Sequence, residues 1–215
     1  MNVRNVLVFA CGVSAVFGAA ALAQQSGREA QGAPEQPAMQ LPAGWTEADM
    51  EACMLAGIPG EMHAELMKSV GVWHGKGSMW MGAGMDPMSV ECTNTITSTM
   101  DGRYIVLDMQ SEVPGMGAFT GHGIYGFDNT TQKLVGSWID NYSTGIMQGE
   151  GTLSADRKVI TMSFRYTCPI TKKPATMREV ETITGPNSRT LEMFATDPKS
   201  GKEYMMLRYE LTRKS

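Results

Sequence analysis

Val159-Ile160-Thr161-Met162-Ser163-Phe164-Arg165-Tyr166-Thr167-Cys168 alternates apolar and polar side chains almost without a break. Successive side chains of a strand point to opposite faces, so Ile160, Met162, Phe164 and Tyr166 share a dry face while Thr161, Ser163 and Arg165 meet water. The last run repeats the pattern, with Met205, Leu207, Tyr209 and Leu211 set against Arg208, Glu210 and Thr212.

Working outward, about ten such runs follow one another from Val72 to the C-terminus. They cover approximately 72–81, 89–98, 103–111, 119–128, 134–141, 145–153, 159–168, 175–184, 189–196 and 203–213. Turn chemistry separates them at Asp101-Gly102, Asp128-Asn129, Ala155-Asp156, Pro186-Asn187 and Pro198-Lys199-Ser200-Gly201. Connections this short force neighbouring strands to be antiparallel, and no segment is long enough for a helical crossover. The expectation is an all-β, up-and-down antiparallel sheet. Closing it into a barrel removes its two long edges, and a two-sheet sandwich is the structural alternative. Glycine stands where a large inward residue belongs at Gly75, Gly77, Gly121 and Gly123, which means either a tight bend or room for a ligand.

Ahead of the barrel, residues 71–215, two short helices are expected within 45–70. Thr46-Glu47-Ala48-Asp49 opens the first with a capping-box pattern and Gly57 and Pro59 stop it; the second runs from about Glu61 to Ser69, and both should pack on the barrel. Residues 24–44 are Gln, Gly, Ala and Pro with almost no large apolar group, a disordered leader. The first residues carry Arg4, then an apolar core from Val6 to Leu22 bounded by Ala21-Leu22-Ala23. This reads as a secretory signal, residues 1–23, cleaved after Ala23, leaving no transmembrane anchor and a periplasmic or secreted chain.

A formal net charge of −4 with no Lys/Arg cluster gives no electrostatic footprint for nucleic acid. In an oxidising compartment Cys53, Cys92 and Cys168 allow one bridge and one leftover thiol. Cys92 and Cys168 both fall on strands, so a staple between them is the expectation.

Gly71-Val72-Trp73, opening the first strand after a short helix, resembles the G-x-W of lipocalin-type barrels, and Arg213 on the final strand is placed to stack on Trp73 and close the barrel floor. The match extends from Pro59-Gly60-Glu61-Met62-His63 through Gly71 to Gly77, Gly102-Arg103-Tyr104, Gly121 to Asn129 and Gly136-Ser137-Trp138-Ile139-Asp140-Asn141-Tyr142-Ser143-Thr144-Gly145-Ile146-Met147 to Tyr209-Glu210-Leu211-Thr212-Arg213-Lys214. On these residues the chain resembles the bacterial domain-of-unknown-function family 1579. The resemblance implies a lipocalin-like (calycin-type) β-barrel of undefined activity, in which the Trp73 and Arg213 pairing is structural.

Candidate chemistry is sparse. Gly71 to Gly77 is also similar to the opening of haem-binding nitrobindin barrels, where a late histidine ligates iron. The only histidines here, His63, His74 and His122, all precede the middle of the barrel, and alternation turns His74 and His122 outward, which disfavours haem. Among nineteen methionines, Met79, Met81, Met85 and Met88 surround Trp80, a set of soft ligands suited to Cu(I); ordinary core filling is the commoner use. No nucleophile motif is present. Asp140, Ser143 and Thr144 beside Trp138, together with His122, are the one cluster to which a hydrolytic role can be assigned, against the plainer reading of a turn ending at Gly145. The leading expectation is an exported barrel holding a small apolar ligand in a cavity lined by Met79, Ile105, Leu107, Tyr125, Phe164, Met193 and Met205. A structural or protein-interaction barrel, a Cu(I)-handling protein and an enzyme at the Trp138–Gly145 end are the alternatives, and oligomeric state is left open.

Overall fold

Ten strands follow two short helices in the computed structural model, which describes residues 40–214. The signal peptide and most of the leader expected at 24–44 lie outside the described residues. The strands are β1 (Gly71–Met79), β2 (Met88–Thr99), β3 (Tyr104–Val113), β4 (Gly117–Asp128), β5 (Lys133–Asp140), β6 (Met147–Leu153), β7 (Val159–Thr167), β8 (Pro174–Gly185), β9 (Ser188–Thr196) and β10 (Glu203–Arg213). Each pairs antiparallel with its neighbours in sequence, and β10 returns to β1, so the sheet is a closed barrel with no edge.

The closing seam sets Trp73 opposite Arg213 and Gly77 opposite Tyr209. A Cβ on Gly77 would lie 1.8 Å from the Arg208 carbonyl oxygen, so the glycine here is the close approach of a tight bend. Gly121 serves differently. The Trp138 indole lies where its Cβ would be, 2.0 Å from the ring, and the same indole with the Tyr125 ring fills the space above Gly123. The missing side chains on β4 therefore seat aromatic rings flat against the wall and leave no void of their own.

Helix α1 (Glu47–Ala56) carries the expected capping box, with the Thr46 side chain and Asp49 exchanging bonds across the first turn. It buries none of its residues, which departs from the expected packing. What holds it is its C-terminal end: Asn129 Nδ2 donates to the carbonyls of Ala56 and Ile58 at 3.1 and 2.8 Å, and Arg103 Nε donates to that of Gly57. Helix α2 (Glu61–Met67) does pack, burying His63 and Leu66. His63 Nδ1 accepts the Gly60 N–H and sets its ring edge-on to Phe127, so this histidine caps a helix.

Up-and-down order sorts the connections to two ends. The α2–β1 link, the turns 100–103, 129–132, 154–158 and 186–187 and the end of β10 form a floor; the connections 80–87, 114–116, 141–146, 168–173 and 197–202 form a mouth. Two buried clusters fill the wall between, one around Phe164, Met162 and Leu134 and the other around Trp73, Tyr209 and Leu211.

The cysteine staple is not formed. Cys53, Cys92 and Cys168 are all free thiols, and β2 and β7 lie five strands apart whichever way the barrel is traversed. A disulfide needs Cα atoms within about 7 Å, which diametrically opposed strands do not offer. Cys92 is packed against Gly75 and Tyr209, and burial pushes its thiol up to about 11.

Candidate functional site

The barrel wall encloses a cavity of about 340 Å³. Its lining is mostly methionine, leucine, isoleucine and aromatic rings, and it runs from Leu66, Ser69 and Trp73 at the floor to Phe119, Asp140 and Tyr142 at the mouth. Met79, Ile105, Leu107, Tyr125, Phe164 and Met193 all face it. Met205 does not. A bulge between Met205 and Leu207 breaks the alternation of β10, leaving Met205 opposite Phe194, whose ring carries the Arg178 guanidinium, and turning Met206 inward instead.

The floor is built around Trp73, which is 1% exposed. Its Nε1 donates to the Ser69 carbonyl at 2.8 Å, tying the first strand to the end of α2. Arg213 lies 4.2 Å from the ring centroid and also donates to the carbonyls of Val70 and Lys68. A second guanidinium, that of Arg189, lies 3.9 Å from the same ring. Outside the floor Arg157 bridges Glu61 at 2.6 Å and Glu65 at 2.7 Å, beside a smaller cleft of about 230 Å³ under α2.

Arg189 brings in a group of residues that sequence reasoning missed. Met177, Glu179, Glu181 and Ile183 alternate along β8, and the Phe164–Met177 pairing turns that whole set inward. Glu181 accepts from Arg189 Nη1 at 2.6 Å, and the same nitrogen donates to Ser69 Oγ. Glu179 has no hydrogen-bond partner among the described residues and carries no compensating cation. Both carboxyls line the lumen. Burial, with the adjacent Glu181 charge, pushes Glu179 up to about 8. Glu181 is also raised by burial, against the pull of Arg189, and burial together with the two carboxylates holds the Tyr125 phenol well above its ordinary range. Asn94 Oδ1, on the same lining, is buried without a donor. The signal for Glu179 and Glu181 was present in the parity of β8, where acids occupy the positions that Met177 and Ile183 mark as interior.

The Trp138–Gly145 segment forms the mouth. Trp138 Nε1 donates to Asp140 Oδ2 at 3.1 Å, Asp140 Oδ1 accepts the Tyr142 N–H, and Tyr142 stands edge-on to Phe119. Ser143, Thr144 and Gly145 are exposed turn residues. His122 is beside this segment in register but on the outer face, 2.8 Å from Asp108, whereas Asp140 faces the lumen. The wall separates acid from base, so the hydrolytic cluster does not assemble. His74 is also outside, 3.4 Å from Glu91. The methionines proposed for copper are divided: Met79 faces the lumen and opposes Met88 on β2, while Met81 and Met85 stand exposed in the loop between. Among the described residues no three His, Cys, Asp or Glu gather in a metal-binding group, and no helix is long and apolar enough to cross a membrane.

Two solved structures share this architecture. An S-type phycobiliprotein lyase, CPES, from Guillardia theta aligns with a TM-score of 0.51 at 12% identity, over 73% of this chain and 99% of the lyase. Rv2717c from M. tuberculosis aligns with a TM-score of 0.53 at 12% identity, over 74% of this chain and 100% of that protein. At such identity the likeness is one of fold. No curated protein matches the sequence. The family model described as a protein of unknown function, DUF1579, matches residues 58–213, which takes in α2 and the barrel from β1 to the last residue of β10, and the chain belongs to that family.

Proposed function

We propose that this chain is a periplasmic or secreted barrel that takes a small, largely apolar molecule into its lumen. The observation that carries the reading is the cavity itself, about 340 Å³ within a wall of apolar side chains, which falls inside the range of roughly 300–1,000 Å³ usual for small-molecule sites. Seven of the lining residues are methionines, whose unbranched thioethers adapt to an irregular guest. Export rests on the apolar stretch from Val6 to Leu22 and the Ala21-Leu22-Ala23 site after it. The phycobiliprotein lyase supports the reading only through the shared barrel fold.

Native mass spectrometry of the mature protein, purified from periplasm and compared before and after unfolding, tests the proposal. The expected result is an organic mass retained in the folded protein and released on denaturation. A clean apo mass, together with failure to take up an apolar fluorophore that a Leu191→Trp lumen-filling variant also excludes, would overturn it. The same purification fixes the compartment, since an N-terminus at Gln24 marks cleavage after Ala23.

A further inference from the structure

We infer that the lumen is built for an apolar molecule bearing one protonated amine, held with Glu179 as its counter-ion; this rests on the small-molecule reading above and names the class of guest. The cavity's unpaired polar groups are mostly acceptors; the exception, Arg189 Nε, belongs to the guanidinium stacked on Trp73 at the floor. Glu181 is satisfied by Arg189, and Asp140 by Trp138 Nε1 and the Tyr142 N–H. Glu179 lines the lumen with no hydrogen-bond partner and no cation beside it among the described residues. Asn94 Oδ1, on the same lining, is a second acceptor without a donor.

A fatty acid is the obvious alternative guest for a dry barrel, and the charges oppose it. Its carboxylate would join Glu179 and Glu181 with only Arg189 between three acids; Nη1 of that guanidinium is shared by Glu181 and Ser69, and its unpaired Nε belongs to the face that stacks on Trp73. Arg213 gives no help, because its nitrogens are spent on the Val70 and Lys68 carbonyls at the floor. An ammonium donates up to three hydrogen bonds and accepts none, so it complements what the wall lacks.

The other groups that face Glu179 fix how binding depends on pH. From β8 there is Glu181, from β9 Arg189, from β4 Tyr125, and further up the wall Asp140 on β5; the directly opposed residues Met162 and Met193 are uncharged. Tyr125 stays neutral through the accessible range, and Glu181 is paired with Arg189, so the unpartnered acid whose proton moves is Glu179. Near pH 7 the empty lumen holds Glu179 protonated. An entering alkylammonium keeps its own proton, Glu179 gives its proton to the buffer, and no covalent bond changes. Amine affinity therefore rises by up to about tenfold per pH unit between pH 6 and 8, then levels off.

The test compares n-decylamine, n-decanol and decanoate, which share one apolar chain, by calorimetric titration of the mature protein. Decylamine is expected to bind at least about tenfold tighter than decanol at pH 8 and decanoate weakest, with close to one proton released per amine at pH 7 when two buffers of different ionisation enthalpy are compared. Glu179→Gln should abolish the amine preference and the proton release, with decanol still bound and an unaltered circular dichroism spectrum showing the variant folded; Glu179→Asp should restore part of both. Equal binding of amine and alcohol, or proton release that survives Glu179→Gln, overturns the inference while leaving the apolar lumen standing. Failure of all three chains to bind overturns the lumen reading with it.

Discussion

The two ends of the barrel are held by different forces. At the floor one buried indole organises two guanidiniums, the end of α2 and the β1–β10 seam, and all of these but its bond to Ser69 join parts of the chain far apart in sequence. At the mouth the contacts are of shorter range: Asp140 bonds residues two positions away on either side, and Tyr142 reaches Phe119 and the Gly117 carbonyl at the start of β4, the neighbouring strand of β5. Apolar side chains also stand in solvent around the mouth, at Met85, Met116, Ile146 and Ile170. The difference assigns stability to one end and access to the other. Removing long-range contacts loosens the whole barrel, whereas removing local ones changes only how its opening is dressed.

Trp73→Ala should have the largest effect. It deletes one of the three largest fully buried side chains and leaves both guanidiniums without their ring, a loss of about 4 kcal/mol, read as a fall in the denaturation midpoint. A loss below about 1 kcal/mol would mean that α2 and the seam hold the floor without it. Arg189→Met comes next, at about 3 kcal/mol, because it strands Glu181 as a buried carboxyl with no partner. Adding Glu181→Gln to that variant should recover more than half of the loss, since what costs most is the uncompensated acid. If the double variant is no better than the single, Arg189 acts through Trp73 and the ion pair is incidental.

These residues were unequally legible in the sequence. The strands were, because their period of two is enforced by a wall that is dry on one side, and Ile160, Met162, Phe164 and Tyr166 could hardly be arranged otherwise. The Trp73 and Arg213 contact was legible too, as a motif at each end of the barrel. Met205 misled because a bulge changes parity by one residue and leaves no mark in composition. The cysteines misled because two strands can each hold a thiol and still lie on opposite sides of a closed sheet. The glycines of β4 were read as a bend or a vacancy, when the large residue that explains them, Trp138, sits on the neighbouring strand. Glu179 and Glu181 escaped for a simpler reason: an acid in a strand is taken as the wet face, and only its phase relative to Met177 and Ile183 says otherwise.

The lumen lies between the two ends, and pH separates its contribution. Glu179 keeps a proton in the folded barrel up to about pH 8 but loses it near its ordinary 4.5 when unfolded. The folded state therefore binds more protons between those values. Stability from this group is fully present below about pH 4.5 and is lost as pH rises through 8, by about 2 kcal/mol once water in the lumen is allowed for. Glu179→Gln should flatten that slope in chemical denaturation, and an unchanged slope would place the titration elsewhere.

The smallest effects belong to the mouth. Tyr142→Phe removes the bond from its hydroxyl to the Gly117 carbonyl at 3.0 Å, a partly solvated contact worth under about 1 kcal/mol, and Ile146→Ser removes a side chain that is 67% exposed and should cost under about 0.5 kcal/mol. Neither should move the denaturation midpoint by a fraction comparable to Trp73→Ala. Both should change how fast an apolar probe enters, because Tyr142 lines the passage from the Asp140 end and Ile146 belongs to the same loop. Stopped-flow uptake read beside equilibrium unfolding separates the two quantities. If the mouth substitutions shift stability and leave the entry rate alone, the division between a holding end and an admitting end is wrong, and the cleft beside Arg157 under α2 becomes the way in.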